Sequence, residues 1–298
     1  MNVPAAGSPV RGILCMIVGT FVLTCQDGLS KWLLAYLHFG EIQGWRGLMC
    51  LPVVILLLRL EGDRLGTLRS NAPGYSLLCG FFALIASVLV ILAFKVMPLA
   101  DALAITFISP LMTTALSAVL LKEHVGWRRW TATGVGFVGA LLIVGPGFDR
   151  LGLWALAPVG AALASALRDI TTRIVSRHDP GPSLLFWIMA VGAAGGFASF
   201  PAMGASMPSA TVWGMLFACA VLLTLAFRLN IAAYKFASGA IVAPFRYLAL
   251  VWAVAIGYAL WGDVPDARML LGSAIVTGAG LYTWRREHQL DRASRSAG

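Results

Sequence analysis

The stretch KVMPLADALAITFISPLMTTALSAVLLKEHVGWR, residues 95–128, decides the fold. It opens with Lys95 and Pro98 and runs apolar from Leu99 to Leu121, interrupted only by Asp101, a few hydroxyls and Pro110. It closes on Glu123 and the basic pair Arg128 and Arg129. Sliding the chain forward by 140 residues lays Lys235 on Lys95, Asp263 on Glu123, Arg268 on Arg128 and Tyr247 on Phe107, without a gap. Identities are few, so the match rests on the placement of charges and apolar blocks. A repeat about half the chain long points to a duplicated membrane protein rather than a solenoid.

Composition agrees. The chain has 298 residues, 59% apolar and 12% charged, with a mean hydropathy of +0.84. Soluble domains carry about 25% charged residues, so lipid is the expected solvent. Ten apolar spans follow, at 12–34, 41–60, 72–94, 99–121, 127–144, 152–175, 183–200, 212–234, 240–261 and 268–284. Each is long enough to cross a ~30 Å hydrocarbon core at about 1.5 Å per residue. The first is read as a retained helix, not a leader peptide, because Gln26 and Asp27 follow its apolar core and apolar character resumes at Leu29. The net charge of +9 reads as loop charge that orients helices, not as a nucleic-acid surface. Cys15, Cys25, Cys50, Cys79 and Cys219 lie in apolar stretches without ligand spacing and read as small buried hydrophobes.

An even number of spans puts both termini on one side. Fourteen Lys and Arg residues fall in segments on that side, against Lys95, Arg150 and Arg268 on the other. The positive-inside rule makes both termini cytoplasmic. Each half holds five spans, so the second copy enters the membrane upside down. The expected fold class is an all-α polytopic membrane protein, with ten transmembrane helices as two inverted five-helix repeats. Its divisions are a short cytoplasmic N-terminus at 1–10, a first repeat at 11–145, a second at 151–284 and a cytoplasmic polar tail at 285–298.

Charges inside spans carry the functional reading, since each costs about 2.5–3.5 kcal/mol near the bilayer centre. Asp27 and Lys31 stand four apart on one helix face, and Asp169 and Arg173 repeat that spacing in span six, the counterpart of span one. With inverted halves, one charged cluster falls toward each membrane face, as two gates would. Arg46, Asp101 and Arg173 lie near span ends, where snorkelling or pairing is expected. Arg168, Arg228 and Arg246 lie deeper, where a cavity role is expected. Positive charges within spans outnumber negative ones, and arginine keeps its proton. An acidic group on a bound substrate is the natural compensation. Asp27 or Asp169 is the candidate carrier of a coupling proton.

Pro110 in span four and Pro244 in span nine remove backbone donors and mark places where a helix can open. Phe107, Thr106, Thr113, Tyr247 and Trp252 give these spans a mixed aromatic and hydroxyl face suited to a part-apolar ligand. Gly134, Gly136 and Gly139 form G-x-G-x-x-G, but inside an apolar helix they read as close-packing residues, as do Gly192, Gly195, Gly196, Gly278 and Gly280. No H-E-x-x-H or G-x-S-x-G occurs, and the four histidines are scattered. No enzyme activity, cofactor or metal is expected.

The chain resembles ten-helix members of the drug/metabolite transporter superfamily, of the EamA-like type. The resemblance rests on Asp27-Gly-Leu-Ser-Lys31 closing span one and Pro98-Leu-Ala-Asp101-Ala opening span four. It rests also on Glu123 and Asp263 closing spans four and nine, with Asp263 where glutamate is commoner. The Ala243-Pro-Phe-Arg-Tyr247 start of span nine is similar to the subset associated with S-adenosylmethionine, riboflavin or organic-anion movement. The resemblance implies a central cavity lined chiefly by spans one, three, four, six, eight and nine. It implies secondary transport of a small polar metabolite across the inner membrane by alternating access. Arg168, Arg228, Arg246, Tyr247, Phe107, Ser109 and Trp252 are the expected substrate residues. Asp27, Lys31, Arg46, Asp101, Asp169 and Arg173 are the expected gate or coupling residues. A multidrug or amphiphile exporter of the same family is the alternative, and a channel the more distant one. The partners are the small-molecule substrate, a coupling proton or counter-substrate, and the bilayer, for a monomer or weak dimer.

Overall fold

A computed structural model describes residues 9–60, 62, 65–120, 127, 130–131, 134–139, 141–142, 152–176, 178–204, 206–236 and 242–296. The described elements are all helical. They are α1 (Pro9–Leu33), α2 (Phe39–Leu60), α3 (Pro73–Val96), α4 (Leu99–Thr106), α5 (Ser109–Leu120), α6 (Ala157–Val175), α7 (Gly181–Ala198), α8 (Ala210–Phe236), α9 (Leu248–Trp261) and α10 (Ala267–Ser296). Short 3₁₀ segments precede α6 (Gly152–Leu156) and α9 (Ala243–Tyr247).

Six helical stretches are long and apolar enough to cross a membrane: Val10–Leu33, Phe39–Leu60, Pro73–Val96, Leu99–Ser117, Gly181–Met203 and Ala210–Ala233. The chain is therefore a multi-pass membrane protein. Phe245–Trp261 and Ala267–Ala279 are shorter apolar helices. Helix α6 is absent from both groups because Arg168, Asp169, Thr171, Thr172 and Arg173 interrupt its apolar surface. Of the expected span at 127–144, residues 127, 130–131, 134–139 and 141–142 are described, and these are helical.

The chain divides into two compact units, and each draws on both halves of the sequence. One comprises Gln26–Met97 and Leu151–Thr224; the other comprises Met1–Cys25, Pro98–Arg150 and Leu225–Gly298.

In the first unit, α2 crosses α7 in antiparallel sense, since Gly40, Gly44 and Gly47 meet Ser199, Phe197 and Ala193 in that order. A Cβ on Gly196 would collide with the backbone of Gly44 and stand 2.7 Å from the Gly40 carbonyl oxygen. Lipid offers helices no hydrophobic drive to associate, so close backbone approach through small residues supplies the packing. Beside this crossing Trp45 sits edge-on to Phe197 (5.0 Å) and Trp213 (4.8 Å). Helix α3 packs along α6 and α7. Leu33, Ile42, Ile91, Leu216 and Cys219 form a buried apolar cluster from α1, α2, α3 and α8.

In the second unit, α4 lies against α9 and α10. Span four is broken at its proline. Phe107 N shares the carbonyls of Leu103 and Ala104 at 3.3 Å each, and Ile108 N bonds Ile105 O at 3.1 Å. Pro110 has no N–H to give the carbonyl four residues back, so the turn before it tightens to three-residue spacing. Span nine breaks likewise: Ala243–Tyr247, with Pro244 in its first turn, is 3₁₀, and α9 begins only at Leu248. Gly262, at φ +69°, ends α9 in the left-handed conformation, and the Asp263 N–H closes back on the Gly257 carbonyl. The Gly134 motif behaves as a packing feature. A Cβ on Gly136 would strike Leu111, and one on Gly139 would stand 2.8 Å from Ile275 Cγ2. Among the described residues nothing lies within reach of a Cβ on Gly134 or Gly278, which corrects the expectation of close approach at these two.

Candidate functional site

The polar core of the first unit gathers on Arg46. Gln43 and Arg46 stand three apart on α2 and share a face. Arg46 is 6% exposed. Its Nη2 donates to Gln43 Oε1 at 2.5 Å and to Ser87 Oγ of α3 at 2.8 Å, and its Nη1 donates to Ser30 Oγ of α1 at 3.3 Å. Ser87 Oγ donates to Gln43 Oε1 at 2.8 Å. Gln26 Nε2 donates to Ser30 Oγ at 2.5 Å, and Ser30 lies 3.8 Å from Cys219 Sγ of α8. Gln26, Ser30 and Gln43 are buried. Asp27, next to Gln26, interacts electrostatically with Arg46 and Cys219. Position near a span end predicts that Arg46 snorkels or pairs; it does not snorkel, but is buried and hydrogen-bonded to neutral groups from three helices.

Two carboxylates absent from the expected set organise the ends of this unit. Glu41, in the first turn of α2, accepts the Ser206 N–H at 2.5 Å, the Ser206 hydroxyl at 2.7 Å and the His38 N–H at 3.2 Å. His38 Nε2 also lies 2.9 Å from the carbonyl oxygen of Gly204. Asp179, just before α7, accepts the Asn71 N–H at 2.6 Å and the Ser76 hydroxyl at 3.1 Å, and is hydrogen-bonded to the Ser70 hydroxyl. Burial works to raise the Asp179 carboxyl, but the bonds from Ser70, Asn71 and Ser76 outweigh it and hold the group below its ordinary value. Each carboxylate thus takes a backbone N–H and a serine hydroxyl from a loop distant in sequence. Glu41 and Asp179 are 138 residues apart, and Ser206 and Ser70 are 136 apart. That near-match to the 140-residue register is the sequence signal that could find them.

The second unit carries the helix breaks. Phe107 caps α4 and Tyr247 ends the 3₁₀ segment, and their rings pack at 5.2 Å between centroids. Ser109 is buried, and its carbonyl accepts the Thr113 hydroxyl at 2.9 Å. Trp252 packs edge-on to Phe21 at 5.3 Å, and its indole Nε1 is buried with no hydrogen-bond partner among the described residues. Asn230 of α8 lies against Gly19 of α1. Arg228 is half-buried on α8 and Arg246 is exposed in the 3₁₀ segment. Pro244 stands in that segment. Asp101 lies half-buried in the first turn of α4, where an acid suits the positive end of the helix.

The remaining expected residues divide. Lys31 is half-buried in the last turn of α1, and Arg173 is exposed in the last turn of α6. Helical spacing predicts that Asp169 faces Arg173. Its ion-pair partner in the structure is its neighbour Arg168, with Nη2 at 2.8 Å and Nε at 3.1 Å from Asp169 Oδ1. The guanidinium expected to meet substrate therefore already faces a carboxylate. Among the described residues no three His, Cys, Asp or Glu side chains gather as a metal site.

Helices long enough to cross a bilayer, with buried charge and broken spans among them, define a polytopic membrane protein of the transporter class. Residues 10–145 match the EamA-like transporter family. The chain is 30% identical over 295 residues to the riboflavin transporter of Vibrio cholerae serotype O1, covering 97% of each. It is 27% identical to the S-adenosylmethionine uptake transporter of Rickettsia bellii (89% of this chain, 92% of that one). It is also 27% identical to the pseudopaline exporter of Pseudomonas aeruginosa (90% and 94%). A solved crystal structure aligns with a TM-score of 0.65 at 16% identity, over 92% of this chain and 96% of that one, a likeness of fold alone. The chain belongs to the EamA-like transporter family, within the drug/metabolite transporter superfamily.

Proposed function

We propose that the protein is a secondary active transporter of the inner membrane, moving a small polar metabolite with an acidic group by alternating access. Its ten spans form two inverted five-helix repeats, 11–145 and 151–284, with both termini cytoplasmic. The observation that carries this reading is the pairing of Phe107 with Tyr247. The 140-residue register equates these two residues from sequence, each sits where a span is broken beside a proline, and their rings meet. The matched bonds of Glu41 and Asp179 support the same symmetry in the other unit. Repeats related in this way present equivalent surfaces in opposite senses, which is what alternating access uses.

Substrate contacts are assigned to Phe107, Ser109, Arg228, Arg246, Tyr247 and Trp252; Arg168, paired with Asp169, is a separate candidate in the other unit. Asp27 is assigned the coupling proton. Uptake is the first reading, supported by the S-adenosylmethionine uptake relative. Export is the second, supported by the pseudopaline exporter. The test is thermal unfolding of the purified protein with riboflavin, S-adenosylmethionine and a panel of acidic, zwitterionic and cationic metabolites. A ligand at ~100 times its Kd adds about 2.7 kcal/mol of stability. A shift with acidic or zwitterionic compounds that Tyr247→Ala abolishes supports the reading. A shift only with cations or neutral amphiphiles would sink the acidic-substrate assignment.

A further inference from the structure

We propose that Arg46 receives the acidic group of the transported metabolite, and that Asp27 answers its charge when no ligand is present. The proposal rests on the transport reading above and adds to it a specific anion-reading residue outside the Arg168, Arg228 and Arg246 set.

Charge within one unit decides the matter. Its other described acids are engaged elsewhere: Glu41 with Ser206 and His38, Asp169 with Arg168, and Asp179 with Ser70, Asn71 and Ser76. Arg46 has hydrogen bonds to Ser30, Gln43 and Ser87, all neutral. Neutral partners satisfy donors but leave the positive charge in place, and a guanidinium does not shed its proton. Asp27 follows Gln26 on α1, whose amide bonds the same Ser30 hydroxyl that Arg46 Nη1 reaches, and its field extends to the guanidinium. A membrane helix that holds a permanent charge at 6% exposure, with polar groups from α1, α2 and α3 converging on it, is built for more than helix packing.

The ligand chemistry follows from the geometry. Nη2 is held by two short bonds, at 2.5 and 2.8 Å, which fix the plane of the guanidinium. Among the described residues Nη1 has the single 3.3 Å bond to Ser30, the longest of the set. A carboxylate oxygen arriving at Nη1 exchanges a long bond to a neutral acceptor for a shorter one to an anion. Ser30 keeps its bond from Gln26. The negative charge of the ligand then takes over the role of Asp27, so the two carboxylates compete for one cation.

The test uses the purified full-length protein, with S-adenosylmethionine and its decarboxylated analogue as probes and thermal unfolding as readout. The wild type should favour the carboxylated probe by about ten- to a hundredfold, the worth of one charge-assisted hydrogen bond. Arg46→Gln should erase that preference while leaving affinity for the decarboxylated probe in place, and Arg46→Lys should keep part of it. Asp27→Asn should tighten binding of the carboxylated probe by removing its internal competitor. Equal binding of both probes by the wild type, or an undiminished preference in Arg46→Gln, overturns the proposal. A cycle of Arg46→Gln, Asp27→Asn and the double variant, run without probe, tests the Asp27 half of the proposal independently of which metabolites bind. Non-additive stability changes support the pair, and additive ones overturn it. A wild type that moves no metabolite yet shows the non-additive cycle would count against the transport reading and for the charge pair.

Discussion

Asp179 shows what a single side chain does at the edge of a membrane unit. Its carboxylate gathers the Asn71 N–H and the hydroxyls of Ser70 and Ser76, joining the loop before α3 to the start of α7. Those bonds favour the charged form, so the folded state holds this group below its ordinary value of 3.8. A depressed folded value contributes stability above the unfolded one, and that contribution is lost as pH falls through the folded one. Asp179→Asn should destabilise the protein at pH 7 by about 2–3 kcal/mol, the order of a lost set of charged hydrogen bonds. The gap between wild type and variant should close in unfolding curves taken below about pH 4. A gap that stays constant from pH 7 to pH 3 would show that Asp179 acts by shape alone. Sequence by itself passes over Glu41 and Asp179, because an acid at a span edge looks like any loop residue. It singles out Arg46 but misjudges it, since nothing in a linear chain brings Ser30 and Ser87 to Gln43.

At the scale of elements, the α2–α7 crossing and the two breaks do most to shape the units. Gly196 leaves no room for a methyl group against the Gly44 backbone, whereas Gly214 on α8 faces open space. Gly196→Ala should destabilise by about 1–3 kcal/mol through overpacking, and Gly214→Ala should be neutral or slightly stabilising. Thermal unfolding of the two variants side by side checks this; equal effects would mean that the crossing yields more readily than its geometry implies. Pro110→Ala restores the missing donor and should straighten span four, preserving the fold and lowering transport. Unchanged transport in that variant would reduce the break to a packing kink. The breaks are legible from sequence, because proline removes an N–H wherever it stands in a helix. The pairing of Asp169 is not, because helical spacing alone cannot decide between a partner four residues on and a neighbour whose long side chain folds back.

At the scale of the molecule, membrane residence is legible from composition and the family from a handful of motifs. Phe107 and Tyr247, which the 140-residue register sets against one another, meet in the structure. The proposed orientation follows from loop charge. A cysteine added to the tail beyond residue 284 should be labelled by a membrane-impermeant thiol reagent only after cells are opened, and labelling of intact cells would reverse the assigned topology. Substrate is the least legible property, because no residue type by itself names a metabolite. The central claim, a carrier that alternates between two faces, is tested most directly by counterflow in proteoliposomes loaded with unlabelled riboflavin, S-adenosylmethionine or an acidic metabolite. The account predicts saturable accumulation of the labelled compound driven by its unlabelled counterpart, greatly reduced in Arg46→Gln where that compound carries an acidic group. Linear, non-saturating flux without stimulation from the opposite side would mark a channel and contradict it.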